Sequence, residues 1–187
     1  IVEAEKLANF SNTDAYQEKE IIRLLLMYGH ELVNWDDMTE TYIAPYMIAN
    51  LADVEFDHIE CKMILEVYKM KIDVGQLPSE QDFIKHKNVA IADLVISLIS
   101  SPYTLSDNWY AKRKIYVKNE KENLRATILG GIFHLKKRKI DHILKNIREE
   151  IQHEVDIDNQ TILMKRYMQV KEVEKGISNF LGAVINK

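Results

Sequence analysis

Two helical stripes in succession constrain this chain more than any other feature of its sequence. From Asn119 to Val155 the apolar residues Leu124, Ile128, Ile132, Leu135, Ile140, Ile143, Leu144, Ile147, Ile151 and Val155 recur mostly at steps of three and four. That is the period of a helix with one apolar side. Asn119 supplies an N-cap, with Glu120 in the first turn and Glu122 as capping-box partner. At a rise of ~1.5 Å per residue the helix spans about 50 Å, more than a domain of this size covers by itself. Asp156-Ile157-Asp158-Asn159 then reads as a turn with Asp158 as the next cap. Beyond it Leu163, Tyr167, Val170, Ile177, Leu181 and Ile185 fall within a narrow arc of a further helix. Striped helices joined by so short a turn fold back as an antiparallel hairpin.

The preceding residues read as shorter helices. Residues 1–13 are weakly patterned and expected to fray. Asp14 and Gln17 cap a helix through Ile21, Ile22, Leu24, Leu25, Leu26 and Met27 to Tyr28, with Gly29 as its stop. It is apolar nearly all round, so it should be central to a core. Residues 34–40 read as a loop, and a short helix follows with Tyr42, Ile43, Met47, Ile48 and Leu51, where Pro45 fits only in the first turn. Phe56 to Val74 is a second strong helix, with Ile59, Met63, Ile64, Val67, Tyr68 and Met70 inward and Gly75 as its stop. Ser79 and Asp82 are spaced as a capping box before Phe83 and Ile84, and the run Val89 to Ile99 reads as a buried helix. From Tyr103 to Lys118 two readings stand: a helix capped by Ser106 through Trp109, or an extended run at Lys114-Ile115-Tyr116-Val117.

Few turns are marked, with 6 Gly and 3 Pro in 187 residues. The expected fold is all-α: an N-terminal helical bundle over 1–105, a connector over 106–118, then a long connecting helix and a C-terminal antiparallel helical hairpin over 119–187. Starting at Ile1, the chain reads as an excised piece of a longer protein. No apolar run approaches the ~18 residues of a membrane span and no signal peptide opens the chain. The single Cys61 cannot form an internal disulfide, which fits a cytoplasmic setting.

The net charge of −4 conceals a segregation. Residues 1–108 carry 8 basic against 19 acidic side chains, residues 109–148 carry 12 against 3, and residues 149–187 carry 5 against 7. The basic segment includes Lys112-Arg113-Lys114 and Lys136-Lys137-Arg138-Lys139, with Trp109, Tyr110 and Tyr116 around the first cluster. Nucleic-acid phosphates, another protein's acidic tail, or simple solvation against the acidic bundle are the three uses open to it.

Catalytic patterns are absent: no glycine-rich phosphate loop, nucleophile elbow or Cys-x-x-Cys pair occurs. Gly130-Gly131 falls inside the long helix and reads as a bend or close helix contact. Glu55-x-x-His58 and Glu150-x-x-His153 match the Glu-x-x-His unit of di-iron bundles. However, His153 lies off the stripe of Ile147 and Ile151, and Glu55 falls at or before its helix start, so a metal-dependent bundle enzyme is the weaker reading. Asp57, His58 and Cys61 form a still weaker cluster. No cofactor is expected for this fragment.

The last helix carries more apolar surface than a two-helix seam needs. Ile162, Val173 and Phe180 form a second ridge about 80–100° from the seam, with Val184 between the two and Met164 and Met168 on the other flank. Such side chains either pack on the first bundle or wait for a partner's groove. Ile162, Met168, Val173, Ile177, Phe180 and Val184 are the candidate partner-binding residues.

The order of segments resembles one family. Tyr16-Gln17-Glu18-Lys19-Glu20-Ile21-Ile22-Arg23-Leu24-Leu25-Leu26, Gly75-Gln76-Leu77-Pro78, Tyr103-Thr104-Leu105-Ser106-Asp107-Asn108-Trp109 and Gly176-Ile177-Ser178-Asn179-Phe180-Leu181-Gly182 together look like the C-terminal helicase-binding domain of bacterial DnaG-type DNA primase. The resemblance implies a bundle followed by a hairpin that docks on the N-terminal domains of the hexameric replicative helicase. It implies a non-catalytic piece of a primase acting at the replication fork in the cytoplasm; the overall acidity of the chain leaves direct nucleic-acid contact weak or absent as the expectation. The acidic tail of single-stranded-DNA-binding protein is a further candidate partner for the basic segment.

Overall fold

In a computed structural model, residues 2–35, 40–100 and 123–185 are described, apart from the side chains of 2–14 and 183–185. The fold is all-α, with an N-terminal bundle, a long helix and a C-terminal antiparallel hairpin. The chain divides into two units, residues 1–129 and 130–187, and the division falls within the long helix.

In the first unit, α1 (Val2–Tyr28) is followed by β1 (Leu32–Asn34), β2 (Glu40–Tyr42), α2 (Ile43–Asn50), α3 (Ile59–Asp73), α4 (Glu80–Ile84) and α5 (Val89–Ile99). α1 starts a dozen residues before the expected cap at Asp14. The helix formers Glu3, Ala4, Glu5, Lys6, Leu7 and Ala8 carry the backbone through that local signal. Ile21, Ile22, Leu24, Leu25, Leu26 and Tyr28 are buried as expected, whereas Met27 is exposed. Gly29 is held by close approach. A Cβ there would lie 2.4 Å from the Leu25 carbonyl oxygen and 3.2 Å from the Ala44 Cβ.

The expected loop at 34–40 is instead flanked by a short antiparallel ribbon, with Leu32 opposite Tyr42 and Asn34 opposite Glu40. Strands of three residues are too short to show alternation in sequence. The ribbon delivers Trp35 onto Tyr46, the rings stacked at 3.5 Å. Pro45 sits in the first turn of α2, where its missing N–H costs nothing.

α3 begins at Ile59, with Phe56 buried ahead of it. It buries Cys61, Ile64, Leu65 and Tyr68, but Ile59 (70% exposed), Met63 and Met70 face outward, not inward as the spacing predicts. Two apolar sides on one helix give period arithmetic no means of choosing between them. Gly75 closes α3 at φ 75°, with Gly75 N–H on the Ile72 carbonyl and Gln76 N–H on that of Lys71, a Schellman arrangement. The Ser79–Asp82 box is present: the Asp82 carboxylate accepts from Ser79 N–H at 2.7 Å and Lys71 Nζ at 2.8 Å. These bonds, the lysine first, hold Asp82 down to about 2. Asn88 caps α5 through its side chain. That helix buries only Ile91 and Val95, while Val89 and Ile96 are exposed, so it covers the bundle rather than filling it.

Glu18 makes a buried polar contact in this unit. It is fully enclosed and accepts from the backbone N–H groups of Asp57 and His58, at 2.9 and 2.8 Å, ahead of α3. A carboxylate from α1 thus satisfies donors at the start of a helix some forty residues later.

Candidate functional site

Helices α6 (Leu124–His153) and α7 (Ile157–Ile185) build the hairpin. The expected cap at Asn119 and the connector residues lie outside the described residues. α6 ends at His153, and Val155 is fully in the bend, 91% exposed. Asp156, not Asp158, caps α7: its Oδ1 accepts from Asp158 N–H at 2.8 Å and Asn159 N–H at 3.0 Å. An aspartate earlier in the turn reaches the first free donors, which leaves Asp158 inside the first turn beside the positive helix end.

Contacts between the two helices step regularly down the hairpin. Gln160 reaches the Ile151 carbonyl, Arg148 lies against Tyr167, Lys137 meets Glu174 and Ser178, and Phe133 meets Phe180. On α7 the expected arc of Leu163, Tyr167, Val170 and Ile177 is half-buried and Leu181 buried; Ile185 lies outside the described side chains. Most of the stripe that the spacing of α6 predicts is buried or half-buried. Ile128, Ile132, Leu135, Leu144 and Ile147 are buried, over an arc of about 180° with Leu135 and Leu144 at its two edges. Nine residues separate Leu135 from Leu144, which places them about half a turn apart. Ile143, near the middle of that arc, is exposed.

The basic run Lys136-Lys137-Arg138-Lys139 follows Leu135 directly in sequence, and all four residues are half-buried. Lys137 is committed internally. Its Nζ lies 2.8 Å from Glu174 Oε1 and 2.7 Å from Ser178 Oγ, while Lys171 Nζ lies 2.7 Å from Glu174 Oε2. Glu174 sits within the apolar arc, 8% exposed. Lys137, then Lys171 and Ser178, stabilise its charged form and hold the carboxyl at about 2. The Lys171 ammonium is raised by the same contact. Lys136, Arg138 and Lys139 are engaged as well. Lys137 is thus tied to α7 within the hairpin; Lys112, Arg113 and Lys114 lie outside the described residues.

The ridge residues are placed as follows. Val173 is 56% exposed, and Ile162, Met164 and Met168 are exposed with it. Phe180 keeps 37% exposure although its ring lies 4.2 Å from that of Phe133. Ile177 is half-buried between ridge and seam. The side chain of Val184 is outside the described residues. α7 therefore carries open apolar side chains on both flanks of its seam, Ile162 and Val173 on one and Met164 and Met168 on the other.

Among the described residues no group of three or more His, Cys, Asp or Glu side chains is placed to hold a metal ion. Burial, then the nearby Glu18 carboxylate, pushes the Cys61 thiol up to about 12, so it stays protonated and unreactive near neutral pH. Gly130 faces open space, so it marks no close helix contact. No described helix is long and apolar enough to cross a membrane.

A family model matches residues 4–185, almost the whole chain. The chain belongs to the family described as Domain of unknown function (DUF8430). No curated protein and no solved structure matches it. The match spans both units, so DUF8430 as a family comprises bundle and hairpin together.

Proposed function

We propose that this domain is a non-catalytic docking module, of the helicase-binding kind found at the C-terminus of bacterial DnaG-type primases. The parent protein on this reading synthesises RNA primers, and the domain recruits it to the hexameric replicative helicase at the fork. The observation that carries the reading is the exposure of Val173, with Ile162 and Met168, on a helix whose seam is satisfied by other residues. Unpartnered apolar rows on a hairpin favour helix-in-groove association. The segment order at Tyr16–Leu26, Gly75–Pro78 and Gly176–Gly182 supplies the identity of the partner by resemblance.

Binding needs no chemistry from this domain. Apolar side chains of α7 lose water against the N-terminal domains of the helicase, and acidic surface elsewhere steers approach in a salt-dependent way. The internal use of Lys137 and the half-burial of its neighbours leave the acidic-tail and nucleic-acid readings with less support than the ridge.

Val173→Asp is the direct test. It is exposed and on the ridge, so helical content should be unchanged while affinity for the helicase hexamer falls by tenfold or more, equivalent to about 1.4 kcal/mol. Unaltered affinity in this variant removes the ridge from the mechanism.

A further inference from the structure

The open side of α7 has a spacing of its own. Ile162, Arg166, Gln169, Val173, Gly176 and Phe180 follow one another at steps of four, three, four, three and four, and all six are exposed. That is the spacing of a coiled-coil contact line. Its apolar members, Ile162, Val173 and Phe180, lie within about 20° of one another around the helix. α6 adds to the same face. Glu150 and Ile162 line one cleft, so those sides of the two helices look the same way. Ile143, exposed, is seven residues from Glu150 and within about 20° of it around α6. The hairpin therefore has a two-helix face on which Ile143, Ile162 and Val173 stand open.

Charge selects the occupant. Lys165 and Glu172 are exposed on the flank of α7 away from the seam, seven residues apart and so about 10 Å out of each other's reach. Two such helices can lie antiparallel with a two-fold axis between Tyr167 and Met168. Ile162 then meets the partner's Val173, Arg166 meets the partner's Gln169, and Lys165 meets the partner's Glu172. Symmetry makes each contact twice. Sliding the copies by one heptad sets Glu172 against the partner's Glu172, or Lys165 against the partner's Lys165. A parallel pairing sets Arg166 against the partner's Arg166. Apolar match and opposite charge coincide in one arrangement, and the polar Arg166 layer holds it in register.

We propose that a second copy of this chain covers this face, α7 pairing antiparallel with α7 of the partner so that two hairpins form a four-helix bundle. The inference goes beyond the helicase reading and shares its ridge, so that helicase and second copy compete for Ile162 and Val173.

The full chain is followed by sedimentation equilibrium from micromolar to near-millimolar concentration at low salt. The parent should dimerise. Lys165→Glu and Glu172→Lys should each raise the dimer dissociation constant at least tenfold, since each sets two like-charge pairs in the contact. An equimolar mixture of the two variants should pair as tightly as the parent, because both charge pairs are then restored in reverse. Both positions are exposed, so far-UV ellipticity should match the parent's. A parent that stays monomeric, single variants that dimerise as the parent does, or a mixture that stays monomeric each overturns the proposal. The helicase hexamer separates the two readings. A monomeric parent whose helicase binding falls with Val173→Asp sinks the second copy and leaves the ridge as a docking face. A dimer that obeys the charge rule, with helicase affinity indifferent to Val173→Asp, sinks the helicase reading and leaves the second copy.

Discussion

Replacing Glu18 by glutamine should weaken the first unit well beyond what a one-atom change suggests. The two residues match in volume and in helix propensity, so α1 itself is undisturbed. What changes is the hydrogen-bond inventory at the start of α3. The carboxylate accepts from two backbone donors, Asp57 N–H at 2.9 Å and His58 N–H at 2.8 Å, in full enclosure. A carboxamide offers one oxygen and turns its NH₂ toward the second donor. One buried N–H is left without an acceptor, at a cost of ~1–3 kcal/mol. The positive end of α3 also loses a negative charge, worth up to about 2 kcal/mol in a partly buried setting. Relief of carboxylate desolvation offsets part of this, so the net loss should be about 2–3 kcal/mol. With a urea slope of ~1–3 kcal/mol/M the midpoint falls by roughly 1 M. The assay is urea unfolding by far-UV ellipticity, together with indole fluorescence in a Trp109→Phe background so that Trp35 reports alone. A Glu18→Gln protein unfolding at the parent's midpoint would refute the assignment of Glu18 as the cap of α3.

Gly29→Ala should cost about 1–3 kcal/mol, as overpacking does, because its Cβ would fall 2.4 Å from a backbone oxygen that cannot rotate away; differential scanning calorimetry reads the loss. Acid should weaken the hairpin in a defined window. With Glu174 held at about 2 in the fold, the unfolded chain takes up protons first as pH drops below the ordinary carboxylate range. The contribution is complete at neutral pH, declines from about pH 4.5, and is gone below about 2; Glu174→Gln should flatten that part of the stability profile. Cys61, with its thiol pushed up to about 12, should resist a disulfide reagent at pH 8 until the protein is unfolded. Stoichiometric native labelling within seconds would contradict its burial.

Local signals were the legible part of the sequence. Gly75, Ser79 with Asp82, and Pro45 each act through a backbone position that needs only near neighbours, and each stands where its spacing predicts. The helical hairpin was equally legible, since two stripes and a short turn admit one arrangement. Residues whose partners are remote in sequence were not. Glu18 looks like any other charge on α1 until Asp57 and His58 arrive from thirty-nine and forty residues away. Glu174 left a trace: it falls inside the arc of Val170 and Leu181, with Lys171 and Ser178 three and four residues from it. An acid at a seam position signals a paired basic group on the facing helix, here Lys137. On α3, Ile59, Met63 and Met70 match the helical period as well as Ile64 and Tyr68 do, and only packing decides which side turns inward. The candidate site was readable as an excess of apolar residues on α7.

The half-turn offset between Leu135 and Leu144 makes α6 behave like a keyed shaft. One residue added or removed between those positions would rotate one set of contacts by about 100° against the other, and two would rotate it by about 200°. Seven would leave it within about 20° of the original setting. In descendants of this gene, the length of that interval can therefore drift only in near-heptad steps, however freely the residues within it change.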